Sequence, residues 1–353
     1  MKIAIVTDTH WGVRNDNLVF ADHISSFYRE QFFPYLDRNN ITTVFHLGDV
    51  CDRRKFINYA TAMRLEEDLM RPLFERGITA HMVVGNHDTY FKNTNDINSL
   101  KQLYLHSKYT ENINIYWEKP VELEFDGVKI VLCPWINQEN YESSMSILKD
   151  TQAQIVMGHF EIQGFEMYKG SINHEGLEKN VFNKFEMVCS GHFHHKSSYG
   201  NIHYLGAPYE MTWSDYDDPR GFHVFDTEKR LLTFVQNNDK IFHKLWYDDS
   251  TMDASDINLP ETLKDRYVKV IVSNKTNPYV FDLYINQLQQ IGCADIKVVD
   301  DHMNLDVFDE ETLIDEAEDT LTILKNYIDK LEIKNTSHVE KFMTELYNEA
   351  VNL

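Results

Sequence analysis

The chain has 353 residues, enough for one large core and smaller appendages. Hydrophobic content of 42 % and aromatic content of 13 % are ordinary for a globular protein, and no apolar run nears the roughly 20 residues of a membrane span. A net charge of -22 excludes a generic phosphate-binding surface, so a nucleic-acid substrate would need local basic residues, metal ions or a partner to offset the repulsion.

Lys2-Ile3-Ala4-Ile5-Val6 meets Asp8 too soon for a signal peptide. Cys51, Cys133, Cys189 and Cys293 lie far apart without paired spacing, which reads as reduced thiols in a cytoplasmic protein. Residues 2–7 form an expected buried strand that ends in Asp8-Thr9-His10-Trp11-Gly12. Residues 21–38 carry Ile24, Phe27, Tyr28, Phe32 and Leu36 at helical spacing. The next strand, 41–47, runs into Gly48-Asp49-Val50-Cys51-Asp52, and an amphipathic helix follows at 58–76, stopped by Gly77. A third strand, 81–84, ends in Gly85-Asn86-His87-Asp88. Strand, polar loop and helix thus recur three times, which implies a parallel, helix-covered sheet with its site beyond the carboxyl ends of the strands.

The pattern then turns β-rich. Asp126-Gly127 marks a hairpin, 155–157 ends in Gly158-His159, and 187–190 ends in Gly191-His192-Phe193-His194-His195. Short strands near 202–205, 221–225 and 231–235 complete a second layer, expected to be more antiparallel than the first. From about 258 the composition shifts to a small βαβ unit: a strand at 268–272, a helix at 278–290 and a strand at 296–299. An acidic tract at 300–319 meets no Lys or Arg until Lys325 and reads as a solvated linker. Behind it, one helix is striped by Leu321, Leu324, Ile328 and Leu331, and another opens on the capping box Ser337-His338-Val339-Glu340. This pair either docks a partner helix or coiled coil, or folds onto the main body.

The strand-end residues are carboxylates, imidazoles and one amide: Asp8, His10, Asp49, Asn86, His87, His159, His192 and His194. That set suits manganese, iron or zinc better than calcium or a thiolate-bound metal. There are ligands enough for two ions, and two ions about 3.5–4 Å apart clamp a phosphoryl group for in-line attack. Arg53, Arg54 and Lys55 beside the site are either DNA-phosphate contacts or a solvated helix start. Trp11 either stacks on a base or caps the core.

In order and spacing, Asp8-x-His10, Gly48-Asp49, Gly85-Asn86-His87-Asp88, Gly158-His159 and Gly191-His192-x-His194 resemble the calcineurin-like metallophosphoesterase superfamily over residues 1 to about 230. Asp8-Thr9-His10-Trp11-Gly12 and Gly206-Ala207-Pro208 resemble its SbcD-type branch. Asp217-Asp218-Pro219-Arg220-Gly221-Phe222 and the paired tail helices are similar to the small subunits of T-even-like phage recombination endonucleases. The resemblance implies an α/β (α+β) fold, a two-layered β-sandwich flanked by helices, with a small βαβ capping domain and a C-terminal helix pair. Its domains would be a nuclease domain at 1–250, a DNA-positioning cap at 258–300, an acidic linker at 301–320 and ATPase-binding helices at 321–353.

The resemblance further implies a first metal held by Asp8, His10 and His194, a second by Asn86, His159 and His192, and Asp49 as bridge. The ions would be manganese, with magnesium as the alternative. His87 would be the general acid, oriented by Asp88, and His195 a peripheral residue. Archaeal and eukaryotic relatives tend to carry a second catalytic histidine three residues after the bridging aspartate. Asp52 stands there in this chain, where it would orient His10 or a loop. The implied function is a 3′-to-5′ exonuclease on duplex ends and an endonuclease on single strands, working with an SMC-like ABC ATPase in recombination and double-strand-break repair. A homodimer through the helices near 21–38 and 57–76 is implied too, in the cytoplasm, or in the host cytoplasm if the chain is phage-encoded. The rival readings are a phosphatase of the same superfamily acting on a non-DNA phosphoester, and a non-catalytic adaptor.

Overall fold

The computed structural model describes residues 1–168, 171–250 and 254–300, and beyond these only Val339, Lys341 and Met343. By internal contacts the chain forms two units, Met1–Met211 with Asp215–Met303, and Thr212–Ser214 with Asn304–Leu353. The expected acidic linker and tail helices lie outside the described residues, save for helical backbone at those last three positions.

In the first unit, period-two alternation sorts apolar side chains to two faces of each strand. One six-stranded sheet runs Leu231–Asn237, Arg220–Asp226, Lys2–Val6, Thr43–His46, Thr79–Val83, Ile113–Tyr116. The other runs Ser197–Tyr199, Ile202–Tyr204, Met187–Gly191, Ile155–His159, Val128–Cys133, Val121–Phe125. Ile3, Ile5, Phe45 and Val83 from the first pack with Ile130, Leu132, Ile155 and Met157 from the second in one buried cluster. The alternate residues Val131, Cys133, Val156 and Val188 turn to the opposite face, against Leu148, Phe160 and Phe182. The sheets therefore form a sandwich with helices outside, and truncating a centre residue such as Phe45 to Ala should cost about 3–5 kcal/mol.

The second sheet is not the more antiparallel one. Each sheet has three parallel and two antiparallel pairings. The hairpin of Arg220–Asp226 and Leu231–Asn237 joins the first sheet, where Arg220–Asp226 lies antiparallel to Lys2–Val6. Short spacing signals a hairpin but does not say which sheet receives it.

The expected helices at 21–38 and 58–76 form, each with a widened π turn, at Phe27–Phe32 and Glu66–Met70. Pro34 and Pro72 open the α segments that follow. A proline cannot donate to the carbonyl four residues back, and a wider turn absorbs that missing bond.

The βαβ unit carries one strand more than expected. Phe242–Asp248, inside the stretch assigned to the first domain, pairs in parallel with Tyr267–Asn274, which pairs with Asp295–Asp300. Helix Pro278–Ile291 covers this sheet through Phe281, Tyr284 and Leu288. Phe20 meets Phe242 and Tyr267, with ring centroids 6.0 and 5.2 Å away. At the joint, buried Glu210 Oε2 accepts from the backbone N–H groups of Ile241 and Phe242, both at 3.0 Å.

Burial lifts the Glu210 carboxyl to about 7, against the opposing pull of those two N–H donors. Its folded value stands above its unfolded one, so its stabilising contribution is full below the unfolded value and lost as pH rises through about 7. Urea unfolding at pH 5 and pH 8 should show Glu210→Gln gaining on wild type at the higher pH, by as much as about 3 kcal/mol. An identical pH slope in the two proteins would place the carboxyl in ordinary ionised form.

Candidate metal centre

The loops beyond the strands are tied to one another by backbone. Asp8 N–H donates to Gly48 O at 3.0 Å, Thr9 and His10 to Asp49 O at 2.9 and 3.1 Å, and Trp11 to Val50 O at 2.8 Å. Asp8, His10, Asp49 and His192 all take left-handed backbone, with φ of 52°, 42°, 54° and 85°. Such conformations cost non-glycine residues about 1–2 kcal/mol each, and they persist only where surrounding bonds over-determine them. The glycines between strand and ligand admit close approach. A Cβ on Gly85 would lie 2.1 Å from Asp49 Oδ1, and one on Gly191 would lie 2.0 Å from Thr7 Oγ1.

Seven side chains converge on the space these loops enclose. Asp8, His10 and His194 form one cluster; Asp49, His159 and His192 form a second; and Asp49 also joins His10 and His87 in a third. His10 and His194 face each other through Nε2 at 3.0 Å. Asn86 Oδ1 lies 2.9 Å from His159 Nε2 and 3.0 Å from His192 Nδ1. Asp49 Oδ2 is 3.2 Å from His159 Nε2 and 3.8 Å from His10 Nε2. All seven are buried except His192 and His194, which are partly so.

This donor set fits divalent cations. His159 gives Nδ1–H to Leu47 O at 2.8 Å, which leaves Nε2 turned to two oxygens that themselves accept, Asn86 Oδ1 and Asp49 Oδ2. A proton meets that demand in one way. Burial lowers the His159 imidazole, but Asp49 and Asp8 outweigh burial and hold it at about 9. Burial raises Asp49, but the surrounding histidines, His159 foremost, draw it well below the carboxylate range. A divalent cation satisfies the same lone pairs and displaces the proton. Burial and the neighbouring His10 keep His194 neutral, as a ligand must be.

His87 stands at the rim of these clusters, its ring edge-on to His10 at 4.7 Å. Its Nδ1 is 2.6 Å from the carbonyl oxygen of Asp52, and its N–H donates to Asp49 Oδ1 at 2.8 Å. The expectation that Asp88 orients His87 fails. The Asp88 carboxylate accepts from the N–H groups of Gly85 and Cys51, both at 2.9 Å, from Val50 N–H at 3.3 Å, and from Ser99 Oγ. It clamps two loops together, and backbone at Asp52 orients His87 instead. The Asp52 carboxylate approaches His10 Nδ1 at 3.3 Å, one of the two roles open to it.

Trp11 is a core residue, not a base platform. It is 2 % exposed and stacked on Tyr28 at 5.5 Å, so neither face is open to a base. Arg53 pairs with Asp16 at 2.8 Å and lies over the Phe56 ring, and Arg54 donates to Thr89 O at 3.1 Å. Both shape the loop beside the site, while Lys55 is exposed. His195 sits off the clusters, with Nδ1 2.9 Å from Asp218.

Two contributors carried no chemical signal of their own. Arg220, buried between Asp215 and Asp218 at 2.8 Å from each, donates to the carbonyl oxygen of His194. Trp135 lies against the rings of His192 and His159, at 5.1 and 5.9 Å. Arg220 falls in a stretch noticed only for its resemblance; nothing marked Trp135.

A helix-flanked β-sandwich with clustered Asp, His and Asn side chains where its parallel strands end defines a metallophosphoesterase. The chain belongs to the calcineurin-like phosphoesterases, whose family description matches residues 1–196. It is similar to exonuclease subunit 1 of enterobacteria phage T4, 37 % identical over 248 residues that cover 70 % of this chain and 71 % of that protein. It is similar also to the SbcD component of the SbcCD nuclease of Staphylococcus saprophyticus, 22 % identical over 99 % of both chains. Among solved structures, the Pseudomonas putida nuclease MPE is 14 % identical, covers 63 % of this chain and 83 % of its own, and gives a TM-score of 0.28. A novel archaeal phosphodiesterase is 14 % identical, covers 67 % of this chain and 100 % of its own, and gives 0.31.

Two substitutions probe the scaffold. Gly85→Ala should abolish stoichiometric manganese uptake by equilibrium dialysis, because its Cβ has no room beside Asp49. Arg220→Lys should weaken manganese binding about 10- to 100-fold by calorimetry, since it loosens the anchor of His194. Full affinity in either variant would show that the ligands do not depend on these supports.

Proposed function

We propose that this chain is a dimetal DNA nuclease that works as one component of an assembly. The observation that carries the reading is that Asp8, His10 and His194 group together, that Asp49, His159 and His192 do so beside Asn86, and that Asp49 meets His10 of the first group in a triplet with His87. Asp8, His10 and His194 would hold one ion, Asn86, His159 and His192 the other, and Asp49 would bridge. When bound, the ions supply an activated water and neutralise charge on the phosphoryl oxygens. Oxygen and nitrogen ligands without thiolate favour manganese, with magnesium as the alternative.

The residues of the chain do the rest. His87 Nδ1–H points to the Asp52 carbonyl, so delivery of a proton to the leaving sugar oxygen would fall to Nε2. Lys55, exposed and three residues after the Asp52 carbonyl that holds His87, would meet a DNA phosphate. Arg53 and Arg54 serve by holding that loop.

A nuclease activity draws support from relatives named as parts of an exonuclease and of the SbcCD nuclease; cleavage of DNA duplex ends and single strands, in recombination and repair, would be its use. Both names describe one component of a larger assembly, which supports a partner subunit; an SMC-like ABC ATPase engaged through residues 321–353 would fill that place. The three-stranded unit at 242–300 would position DNA as a cap. A homodimer through the helices at 21–38 and 57–76 draws support from Tyr59 and Met63 on the second of them, which are 93 and 53 % exposed. Among the described residues no helix is long and apolar enough to cross a membrane.

With manganese, wild type should release label from a 3′-labelled DNA duplex. His87→Ala should cut the rate about 10²- to 10⁴-fold while retaining metal, and His194→Ala should lose both metal and activity. Intact DNA alongside brisk phosphomonoester hydrolysis would replace the nuclease reading with a phosphatase.

A further inference from the structure

A cavity of about 580 Å³ opens beside the second cluster, with His159 and Trp135 at one end and Tyr141, Glu161 and Glu178 along its walls. Small-molecule sites span roughly 300–1,000 Å³, so one nucleotide fits. The cavity runs on: a neighbouring space of about 440 Å³ shares Gln163, Glu178 and Asn180 with it and reaches Lys179. We propose that this groove binds a nucleobase of the substrate strand next to the scissile phosphate, with Trp135 as its stacking platform. The proposal rests on the nuclease reading and names where that substrate's base goes.

Three features argue for a base rather than a phosphate. Trp135 is partly exposed and its backbone is fixed: its main-chain N–H donates to Val84 O at 2.8 Å, and its carbonyl accepts from Asn95 and Asn140 Nδ2 at 2.8 and 3.0 Å. An aromatic face beside the ligand histidines suits stacking, which tolerates any base. Glu178, whose Oε2 accepts from Asn180 Nδ2 at 2.6 Å, disfavours a phosphate, yet a carboxylate accepts hydrogen bonds from exocyclic amino groups of bases. Among the described lining residues, Lys179 belongs to the neighbouring space and not to the cavity that holds Trp135. Lys179 sits over the rings of Tyr199 and Phe165 at 4.4 and 4.8 Å, one further step along the strand, where a following phosphate would pass.

The test compares wild type, Trp135→Ala and Trp135→Phe on two substrates and two ligands. A single-stranded oligonucleotide carries bases, whereas bis(p-nitrophenyl) phosphate is a phosphodiester without them. Trp135→Ala should raise KM for the oligonucleotide about 5- to 150-fold, at least fivefold beyond any loss on the base-free ester, and Trp135→Phe should restore most of it. By calorimetry with manganese present, deoxyadenosine monophosphate should bind wild type at least tenfold tighter than deoxyribose phosphate, and Trp135→Ala should erase that preference. Equal binding of the two ligands by wild type would overturn the proposal. So would equal losses on both substrates, which would make Trp135 a prop for His192 and His159. If wild type cuts only the base-free ester while the nucleotide preference stands, the DNA reading fails and the base site survives.

Discussion

Asp49 holds this site together through both carboxylate oxygens. One accepts the His87 N–H at 2.8 Å, and the other lies 3.2 Å from His159 and 3.8 Å from His10. A single buried anion thus links the ligand loops of both sheets and sets the backbone of the residue that would donate the proton. An uncompensated buried carboxylate is costly, and here the imidazoles of His159 and His10 stand on two sides of it. That balance explains why the fold can keep so many ionisable groups in its interior without reorganising.

The surrounding backbone is strained to the same end. Four residues of the site adopt left-handed conformations that ordinary loops leave to glycine. The loops are held there by the N–H bonds to Gly48, Asp49 and Val50 and by the Asp88 clamp. Rigidity of this kind puts ligands where chemistry needs them at a cost in local stability, and the buried sandwich offsets that cost. Arg220 extends the scheme, reaching from the strand that begins at its own position to the His194 carbonyl.

Much of the site was legible because its chemistry is local. Polar residues clustered at strand ends carry both the turn and the ligand, so position marked eight side chains, and the resemblance separated seven of them from His87. What was not legible depends on proximity created by folding. The Asp88 carboxylate reaches loops 38 residues away at Val50, and Arg53 meets Asp16 from 37 residues on. The burial of Trp11 under Tyr28 arises from the helix that crosses it. In the fold, the strand pattern gave the two layers but not the home of the 220–237 hairpin, because a hairpin reads alike in either sheet. Phe242–Asp248 escaped the βαβ unit because its parallel partner starts some 20 residues later, beyond the reach of local spacing.

The central claim is that Asp49 joins two metal sites into one. Electron paramagnetic resonance of the protein loaded with two equivalents of manganese tests it directly. The expected result is the multiline spectrum of an exchange-coupled pair, collapsing to separate six-line signals in Asp49→Asn. Uncoupled six-line spectra in wild type, or coupling that survives the substitution, would contradict it.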